Sequence, residues 1–455
     1  MKPASRLPLE FAEARANFRL AVPLALTQLA SAAAAITAIL LMGRAGANVL
    51  VAGTLAVHFF TFYSVFVGGI LTAASPLMAH NFGAGRREEA QRVLGQGIKI
   101  AIVLTLIGIA IAWHTRDFLL LIGQSSSVAD LAGPFAKANS FAFMPAMLLL
   151  LMRNYAAAAG QPKLGLVAIV AGVAVNAFFG YGVIFGAFGL PKLGLWGLGV
   201  TFAGAHWFMF LIILVLVQSQ PALRLPLGCL RGRNYIAPII RIGIPIGLSG
   251  LCSVGTFVGA TFIITLMGSV QVAGHGIALQ AANFGFALIW GSAQATTIRI
   301  GWATGARNLR AATVAAWTGL LTGMTVAVGL TVLFIAARRQ IVGLFLDYGD
   351  IANRPTFQAA SSILLAVALY QTANGSQLVL TSALRGLRDT KIPFLINLTA
   401  FWLFGATFAG ILGFAANMQA PGIWYGLSIS VALGGLILMY RLHKILPRAL
   451  TLTAG

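Results

Sequence analysis

Long apolar stretches recur along the whole chain and constrain its fold more than any other feature of the sequence. Hydrophobic residues make up 59% of the 455 residues, and charged residues only 9%. A soluble protein of this length needs a far more charged surface. Apolar stretches of roughly 18 or more residues are typical of transmembrane helices, because an α-helix satisfies its own backbone polar groups inside a bilayer. The sequence therefore predicts an all-α integral membrane protein.

Apolar windows predict twelve transmembrane spans and place both termini on the same side of the membrane. Loops on that side, with the termini, carry about 23 of the 30 Lys and Arg residues, and the opposite side carries about seven. The positive-inside rule then predicts cytoplasmic termini and a multi-pass protein of the bacterial inner membrane. The spans lie near residues 20–42, 51–78, 93–114, 135–153, 164–188, 195–217, 242–267, 276–298, 312–336, 357–381, 392–415 and 422–441.

The pattern of the first spans starts again near the middle of the chain. Arg19-Leu20-Ala21-Val22-Pro23 opens the first span, and Arg241-Ile242-Gly243-Ile244-Pro245 opens the seventh. Leu41-Met42-Gly43 closes the first span, and Met267-Gly268 closes the seventh. Six spans in each half give both halves the same orientation, so the halves are related by an axis along the membrane normal. We predict two pseudo-symmetric six-helix bundles arranged as a parallel repeat.

A basic, proline-containing segment at residues 219–240 separates the two sets of six spans and is interpreted as a cytoplasmic linker. The predicted N-terminal bundle then covers residues 1–218, and the C-terminal bundle covers residues 241–455. Pro23 and Pro245 are open to two interpretations. Each either bends its span and serves as a gate or starts a helix from the first turn.

Short motifs accompany the spans in both halves. They are Gly43-Arg44-Ala45-Gly46, the segment from Asn81 to Arg86, Asn176, the segment from Gly186 to Gly197, Val272-Ala273-Gly274-His275, Tyr370-Gln371 and Leu384-Arg385-Gly386. In this order and spacing they resemble the multidrug and toxic compound extrusion (MATE) family of secondary transporters over nearly the whole chain. The resemblance implies a V-shaped fold of twelve helices. It also implies export of organic, often cationic, compounds in exchange for Na⁺ or H⁺.

This chain lacks a carboxylate at the membrane positions where members of that family commonly have one for coupling to an ion. All nine acidic residues fall in predicted loops or at span ends, so none is predicted at membrane depth. The resemblance places carboxylates at the positions of Ala38, Ser253 and Asn374, and near Gly180. Coupling to Na⁺ or H⁺ must therefore use other groups in this chain.

Three histidines could titrate near neutral pH: His58 in span two, His206 in span six and His275 at the entry to span eight. His275 is the preferred candidate because it lies in a family motif, and the alternative for each is a hydrogen-bonded packing residue. Neutral polar side chains are further candidates for the substrate or ion pathway, with hydrogen bonding between helices as the alternative. They are Gln28, Asn176, Ser253, Gln280, Asn283, Tyr370, Gln371 and Asn374.

Aromatic side chains of spans two and eight are candidates for holding lipophilic cargo, with cation–π attraction for a cationic one and helix packing as the alternative. They are Phe59, Phe60, Phe62, Tyr63, Phe66, Phe284, Phe286 and Trp290. Arg153 and Arg385 close spans four and ten. We interpret both as topology determinants that contact lipid headgroups, with substrate selection as the alternative.

The sequence therefore predicts a MATE-type exporter of lipophilic small molecules, with cationic ones as an option, that works by alternating access as a Na⁺ or H⁺ antiporter. The alternative is a flippase or exporter of a lipid-linked or anionic metabolite, which a cationic cavity would favour. An enzyme would need acids, histidines or cysteines converging at membrane depth, so we expect no catalytic site, no metal site and no cofactor. The expected partners are lipophilic substrates and the lipid bilayer, without nucleic acid, and the expected state is a monomer.

Overall fold

The computed structural model is built from α-helices. It describes residues 9–231, 234–347 and 349–448, except for the side chains of Leu9, Glu10 and Leu227, and it contains no strand in these ranges. Gly232 and Arg233 of the predicted linker lie outside the described residues. Eleven described helices are long and apolar enough to cross a bilayer, and one bent pair makes a twelfth span if it crosses once. The prediction of an all-α membrane protein with twelve spans is confirmed.

The helices of the first half run beyond the predicted spans at several ends. They are α1 (Leu9–Ala45), α2 (Ala47–Thr72), α3 (Ala74–Gly83), α4 (Arg87–Trp113), α5 (Thr115–Leu121), α6 (Ser126–Ser140), α7 (Phe143–Ala158), α8 (Lys163–Phe185) and α9 (Gly194–Ser219). Helices α2 and α3 together form one span, which ends at Gly83.

The second half follows a similar order. Its helices are α10 (Ile236–Thr265), α11 (Ser269–Gly305), α12 (Leu309–Ala336), α13 (Arg338–Gly343), α14 (Arg354–Gly386), α15 (Lys391–Leu398), α16 (Gly405–Gly410) and α17 (Gln419–Ile445). Two π-helical segments, Thr399–Phe404 and Ile411–Ala415, join α15 and α16 into one span.

The fourth span differs from the straight helix predicted at residues 135–153. It is split into α6 and α7, whose axes differ by 43°. Pro145 has no N–H to donate, and its ring clashes with the carbonyl of the residue four positions earlier, which is Phe141. The chain turns at Phe141 and Ala142, where the backbone N–H groups donate to the carbonyl three residues earlier instead of four. The proline therefore accounts for the bend.

Pro23 and Pro245 lie well inside α1 and α10, so the interpretation as first-turn helix starters is wrong. Backbone contacts divide the chain into two compact units directly after these residues. We call Leu26–Gly247 the N unit, and the residues up to Ala25 together with those from Leu248 onward the C unit. Each proline-containing helix begins in one unit and ends in the other. The sequence-based division at residues 218 and 241 stays a prediction about the repeat.

Two glycines with left-handed backbone refine the match between the halves. Gly46, with φ of 132°, precedes α2, and Gly268, with φ of 99°, precedes α11. They are 222 residues apart, as are Pro23 and Pro245. Gly46 is therefore the structural counterpart of Gly268, whereas sequence similarity alone pairs Gly268 with Gly43. A side chain at either position would be strained, which explains the glycine.

The segment 219–240 is attached to the N unit in its described part. Arg87 and Gln91 of α4 donate to the carbonyl oxygens of Pro221 (2.6 Å) and Arg224 (2.9 Å). Tyr235 donates its hydroxyl proton to Glu89 at 2.9 Å. Burial, together with this carboxylate, raises the pKa of Tyr235, so the phenol stays a donor. These contacts fix the start of α10 against α4.

The first turns of α10 also pack directly on α2 within the N unit. A methyl group on Gly247 would lie 2.6 Å from the carbonyl oxygen of Phe66, and one on Gly69 would overlap the backbone of Gly247. Membrane helices commonly use small residues in this way, because their backbones can then approach closely. The contact depends on the absence of a side chain at these glycines.

We predict that Gly247→Ala destabilises the protein by about 1–3 kcal/mol, because the new methyl group forces the two backbones apart. The matched control is Gly259→Ala on the same helix, where nothing lies within 4 Å of the added atom. The control should be neutral or stabilising, since alanine favours helix more than glycine. Thermal unfolding in detergent measures both variants. Equal melting temperatures for the two would contradict the proposed contact.

Candidate functional site

The N unit contains a cavity of about 440 Å³, which lies in the size range of small-molecule sites. Residues of α1, α2, α6, α7, α8 and α9 line it. Its walls are mostly apolar, with Phe60, Phe202, Met147 and Met209 as the large side chains. Such walls suit a lipophilic molecule.

The polar lining of this cavity contains no carboxylate. It consists of Ser31, Thr54, His58, Thr61, Asn139, Arg153, Asn176 and His206. Ala38, at the position where the family resemblance places an acid, also lines the cavity. Every titratable side chain of the lining is therefore neutral or positive.

His206 is held in one tautomer at the cavity wall. Its Nδ1 lies 2.8 Å from the carbonyl oxygen of Phe202, and since a carbonyl only accepts, Nδ1 carries the hydrogen. Nε2 of the neutral ring is then an acceptor with no described hydrogen-bond donor. His206 can take up a proton at Nε2 and keep its bond to Phe202. His58, by contrast, is exposed, and its ring is not fixed by any described hydrogen bond.

Two buried amides add unused hydrogen-bonding groups to the lining. Asn176, predicted as a site residue, is 3% exposed, and its Oδ1 has no hydrogen-bond partner among the described residues. Asn139 is 5% exposed, and none of the described hydrogen bonds involves its side chain. Buried polar groups normally have partners, so the unpaired Oδ1 of Asn176 is available to a bound molecule.

Arg153 is the one permanent charge in the lining, and sequence reasoning assigned it to lipid contact instead. It lies five residues before the end of α7, roughly 7 Å along the helix from its last residue. In the described part of the chain it makes no ion pair and no side-chain hydrogen bond. Gly165 of α8 makes room for its stem, because a methyl group there would lie 3.0 Å from Cβ of Arg153.

His275, the preferred titrating residue of the sequence analysis, belongs to a hydrogen-bond network of the C unit that occupies both of its ring nitrogens. Trp424 donates its indole N–H to Nδ1 of His275 at 3.1 Å. Nε2 lies 2.9 Å from the hydroxyl of Thr261, which itself donates to the carbonyl of Phe257. Both ring nitrogens are engaged, with the hydrogen on Nε2. Protonation at Nδ1 would break the bond from Trp424, so the geometry favours a structural role.

Three further predicted residues lie on buried faces of α14, near this network. The Tyr370 ring packs edge-on against Trp424 with centroids 5.3 Å apart, and its hydroxyl donates to Oδ1 of Asn374 at 3.5 Å. Gln371 donates to the carbonyl of Ala282 at 2.8 Å. The bond of Gln371 joins α14 to α11, whereas the bond of Tyr370 stays within α14. Trp424, which connects the cluster, was missed because no spacing pattern relates α17 to α11.

The remaining predicted residues are not brought together. Gln28 lies half-buried in α1 outside the cavity lining. Ser253 donates to the carbonyl of Ser249 one turn earlier. Gln280 and Asn283 are exposed on α11. Their role in a pathway stays a prediction.

Several of the aromatic candidates have ring partners in their own unit. Phe60 stacks on Phe143 with centroids 4.2 Å apart, and Tyr63 meets the edge of the same ring. Phe286 packs on Trp290 in α11. One face of Phe60 is therefore already covered, which reduces its capacity to hold a cation by its π face.

Sequence reasoning also missed an ion pair inside the C unit. Arg299 of α11 binds both carboxylate oxygens of Glu13 in α1, and Asn17 donates to Thr296 beside it at 3.4 Å. The two charged side chains are 23% and 12% exposed. Glu13 thus neutralises a partly buried arginine.

A two-unit bundle of twelve spans with a ligand-sized cavity inside one unit defines a polytopic membrane transporter. The sequence pattern of the MatE family matches residues 23–182 and 245–411, so that each match begins at one of the two helix-interior prolines. The chain belongs to the MatE family. The repeat predicted from sequence is therefore the repeat of this family.

Similar proteins cover almost the whole chain. A protein of Pseudomonas putida named "Probable multidrug resistance protein NorM" is 32% identical over 445 residues, which is 96% of each chain. One of the same name from Pseudomonas aeruginosa is 33% identical over 446 residues, 96% of this chain and 91% of its own. A crystal structure of the eukaryotic MATE transporter AtDTX14 superposes with a TM-score of 0.84 at 18% identity, covering 97% and 99% of the two chains.

We predict that Trp424→Phe lowers the free energy of unfolding by about 1–3 kcal/mol, because it leaves Nδ1 of buried His275 without a donor. Trp196→Phe is the matched control, since Trp196 is 48% exposed and makes no described hydrogen bond. Thermal unfolding in detergent is the measurement. A stability of Trp424→Phe equal to that of the control would show that the network does not hold His275.

Proposed function

We propose that this protein exports lipophilic small molecules across the membrane by alternating access and that the cavity of the N unit holds the cargo during the cycle. The observation that carries the proposal is an apolar cavity of about 440 Å³ with unpaired polar groups, in a chain of the MatE family. The names of the similar proteins, multidrug resistance proteins, support the same cargo class. Nothing in this role requires catalysis, so we expect no enzymatic activity.

The chemistry of the cavity favours H⁺ over Na⁺ as the coupling ion. A tight Na⁺ site needs anionic oxygen ligands to offset the loss of hydration, and the lining offers only neutral oxygens. A proton needs one basic atom, and Nε2 of His206 is available. We propose His206 as the proton carrier.

Antiport of an uncharged cargo then follows from hydration. An imidazolium at the cavity wall is stable only while water solvates it, and a lipophilic cargo displaces that water. Proton and cargo therefore exclude each other, which is the requirement for exchange. A cationic cargo is disfavoured by the charge of Arg153 in the same cavity.

The expected environment is the bacterial inner membrane, with a monomer whose termini are cytoplasmic. The distribution of Lys and Arg between the two sides supports this orientation. We predict that a fluorescent protein fused after residue 455 folds and fluoresces in cells, whereas alkaline phosphatase fused after Gly343 becomes active outside the cytoplasm. Alkaline phosphatase that is active when fused after residue 455 would contradict the predicted cytoplasmic C-terminus.

We predict that a pH gradient drives accumulation of an uncharged fluorescent probe, a naphthalene sulfonamide, in proteoliposomes with an acidic interior. One pH unit supports up to about tenfold accumulation for one-to-one exchange. His206→Gln should abolish the response to pH, because the amide cannot take up a proton, while His58→Gln should retain it.

Parallel measurements with a Na⁺ gradient and with no gradient complete the experiment. Accumulation driven by Na⁺, or pH-driven accumulation that persists in His206→Gln, would contradict the assignment of the coupling ion. Absence of transport of any probe under all three conditions would contradict the export function itself.

A further inference from the structure

We propose that the cavity of the N unit also takes lipophilic organic anions, which Arg153 binds through a carboxylate, sulfonate or phosphate group. The proposal rests on the export function proposed above and names a second class of cargo for the same cavity. A lipid-linked or anionic metabolite is the alternative that the sequence left open, and the cavity supplies the group that would recognise it.

The first argument is the charge of the lining, taken helix by helix. The lining residues of α1, α6 and α8 are uncharged, α2 contributes His58, α7 contributes Arg153 and α9 contributes His206. Each titratable group is positive when charged, and no acid faces them from the lining. The charge of Arg153 therefore gives the cavity a positive potential at neutral pH.

The second argument is the missing counter-charge of Arg153. Arg153 has no acid within ion-pair distance among the described residues, whereas two other partly buried arginines do: Arg299 pairs with Glu13, and Arg441 pairs with Asp389 at 3.0 Å. A guanidinium removed from bulk water is unfavourable unless an anion pairs with it. A bound organic anion would supply this pairing, and the planar guanidinium can bind both oxygens of a carboxylate.

The third argument is the set of unpaired amides and apolar walls around that charge. Asn139 and Asn176 can donate N–H groups to an anionic head, and neither amide is saturated by described protein partners. The walls of Phe202, Met147 and Met209 suit the lipophilic body. The polar and apolar parts of the lining together fit an amphiphilic anion of drug-like size.

An anionic cargo changes the energetics of export. A proton on His206 attracts an anion instead of competing with it, so the exchange described for uncharged cargo does not apply. The inside-negative membrane potential itself drives an anion outward. Export of this class therefore needs no coupling ion, which is consistent with a cavity that has no carboxylate.

The test compares three probes on one naphthalene ring: a sulfonate, an uncharged sulfonamide and a sulfonamide with a quaternary ammonium group. Binding is measured by fluorescence to the full-length protein in nanodiscs of zwitterionic lipid. The sulfonate should bind about ten- to a hundredfold more tightly than the uncharged probe, as expected for a hydrogen-bonded charge pair. The quaternary ammonium probe should bind most weakly.

Arg153→Gln should remove the preference for the sulfonate over the uncharged probe, since the anion-binding charge is lost. Arg153→Lys should keep part of the preference, because the charge remains while the planar fork is lost. The control is Arg385→Gln, which removes a buried arginine from a helix end of the C unit and should keep the preference. Melting temperatures identify any variant that fails to fold.

Transport is then measured in proteoliposomes without a pH gradient. An inside-positive potassium diffusion potential of about 60 mV should accumulate the sulfonate about tenfold, and Arg153→Gln should not respond. A sulfonate preference that survives in Arg153→Gln overturns the proposal. Loss of sulfonate binding in nanodiscs containing phosphatidylglycerol also overturns it, because a lipid headgroup would then occupy the guanidinium.

The two proposals fail in different ways. Binding of the sulfonate through Arg153 without movement of any probe would contradict export and keep the anion site. Proton-driven transport of the uncharged probe with no preference for sulfonate would contradict the anion site and keep export.

Discussion

A charge placed inside a membrane protein must be compensated, and two arginines of this chain differ in how this is achieved. In the C unit, the carboxylate of Glu13 binds Arg299 and ties the start of α1 to α11. In the N unit, Arg153 faces a cavity whose lining has no acid. An unpaired guanidinium in such a place is costly, so its retention needs a compensating ligand or water. The proposed functions of the cavity follow from this one imbalance.

The path of the backbone between the units is determined by two prolines and a few glycines. Each of α1 and α10 contains a proline two residues before the point where its contacts change from one unit to the other. A proline removes one backbone hydrogen bond and weakens the helix locally. Within the N unit, the close approach of Gly247 to α2 fixes the first part of α10. Each proline is therefore a point of local weakness in an otherwise continuous helix.

The spans and the repeat could be predicted from sequence because both depend on hydrophobic length and on local motifs. The bend between α6 and α7 was missed, although Pro145 is a readable signal for it. The site was predicted less well. Motif similarity favoured His275, whereas its hydrogen bonds are saturated by Thr261 and Trp424. The rotation of each helix about its axis decides which side chains face the cavity. Helices that are apolar on all sides show little amphipathic periodicity, so the sequence does not reveal this rotation.

The absence of a carboxylate from the cavity is compatible with energy-driven export once the cargo supplies the charge. A loaded cavity would pair Arg153 with the anion and be nearly neutral, so reorientation would move little net charge. The empty cavity would carry one positive charge, which an inside-negative potential draws back toward the cytoplasm, with about 2.3 kcal/mol available per 100 mV. The potential would then act on the return of the empty transporter. A carboxylate in this lining would cancel the charge of Arg153 and repel an anionic cargo, which gives a physical reason for Ala38 at a position where the family resemblance places an acid.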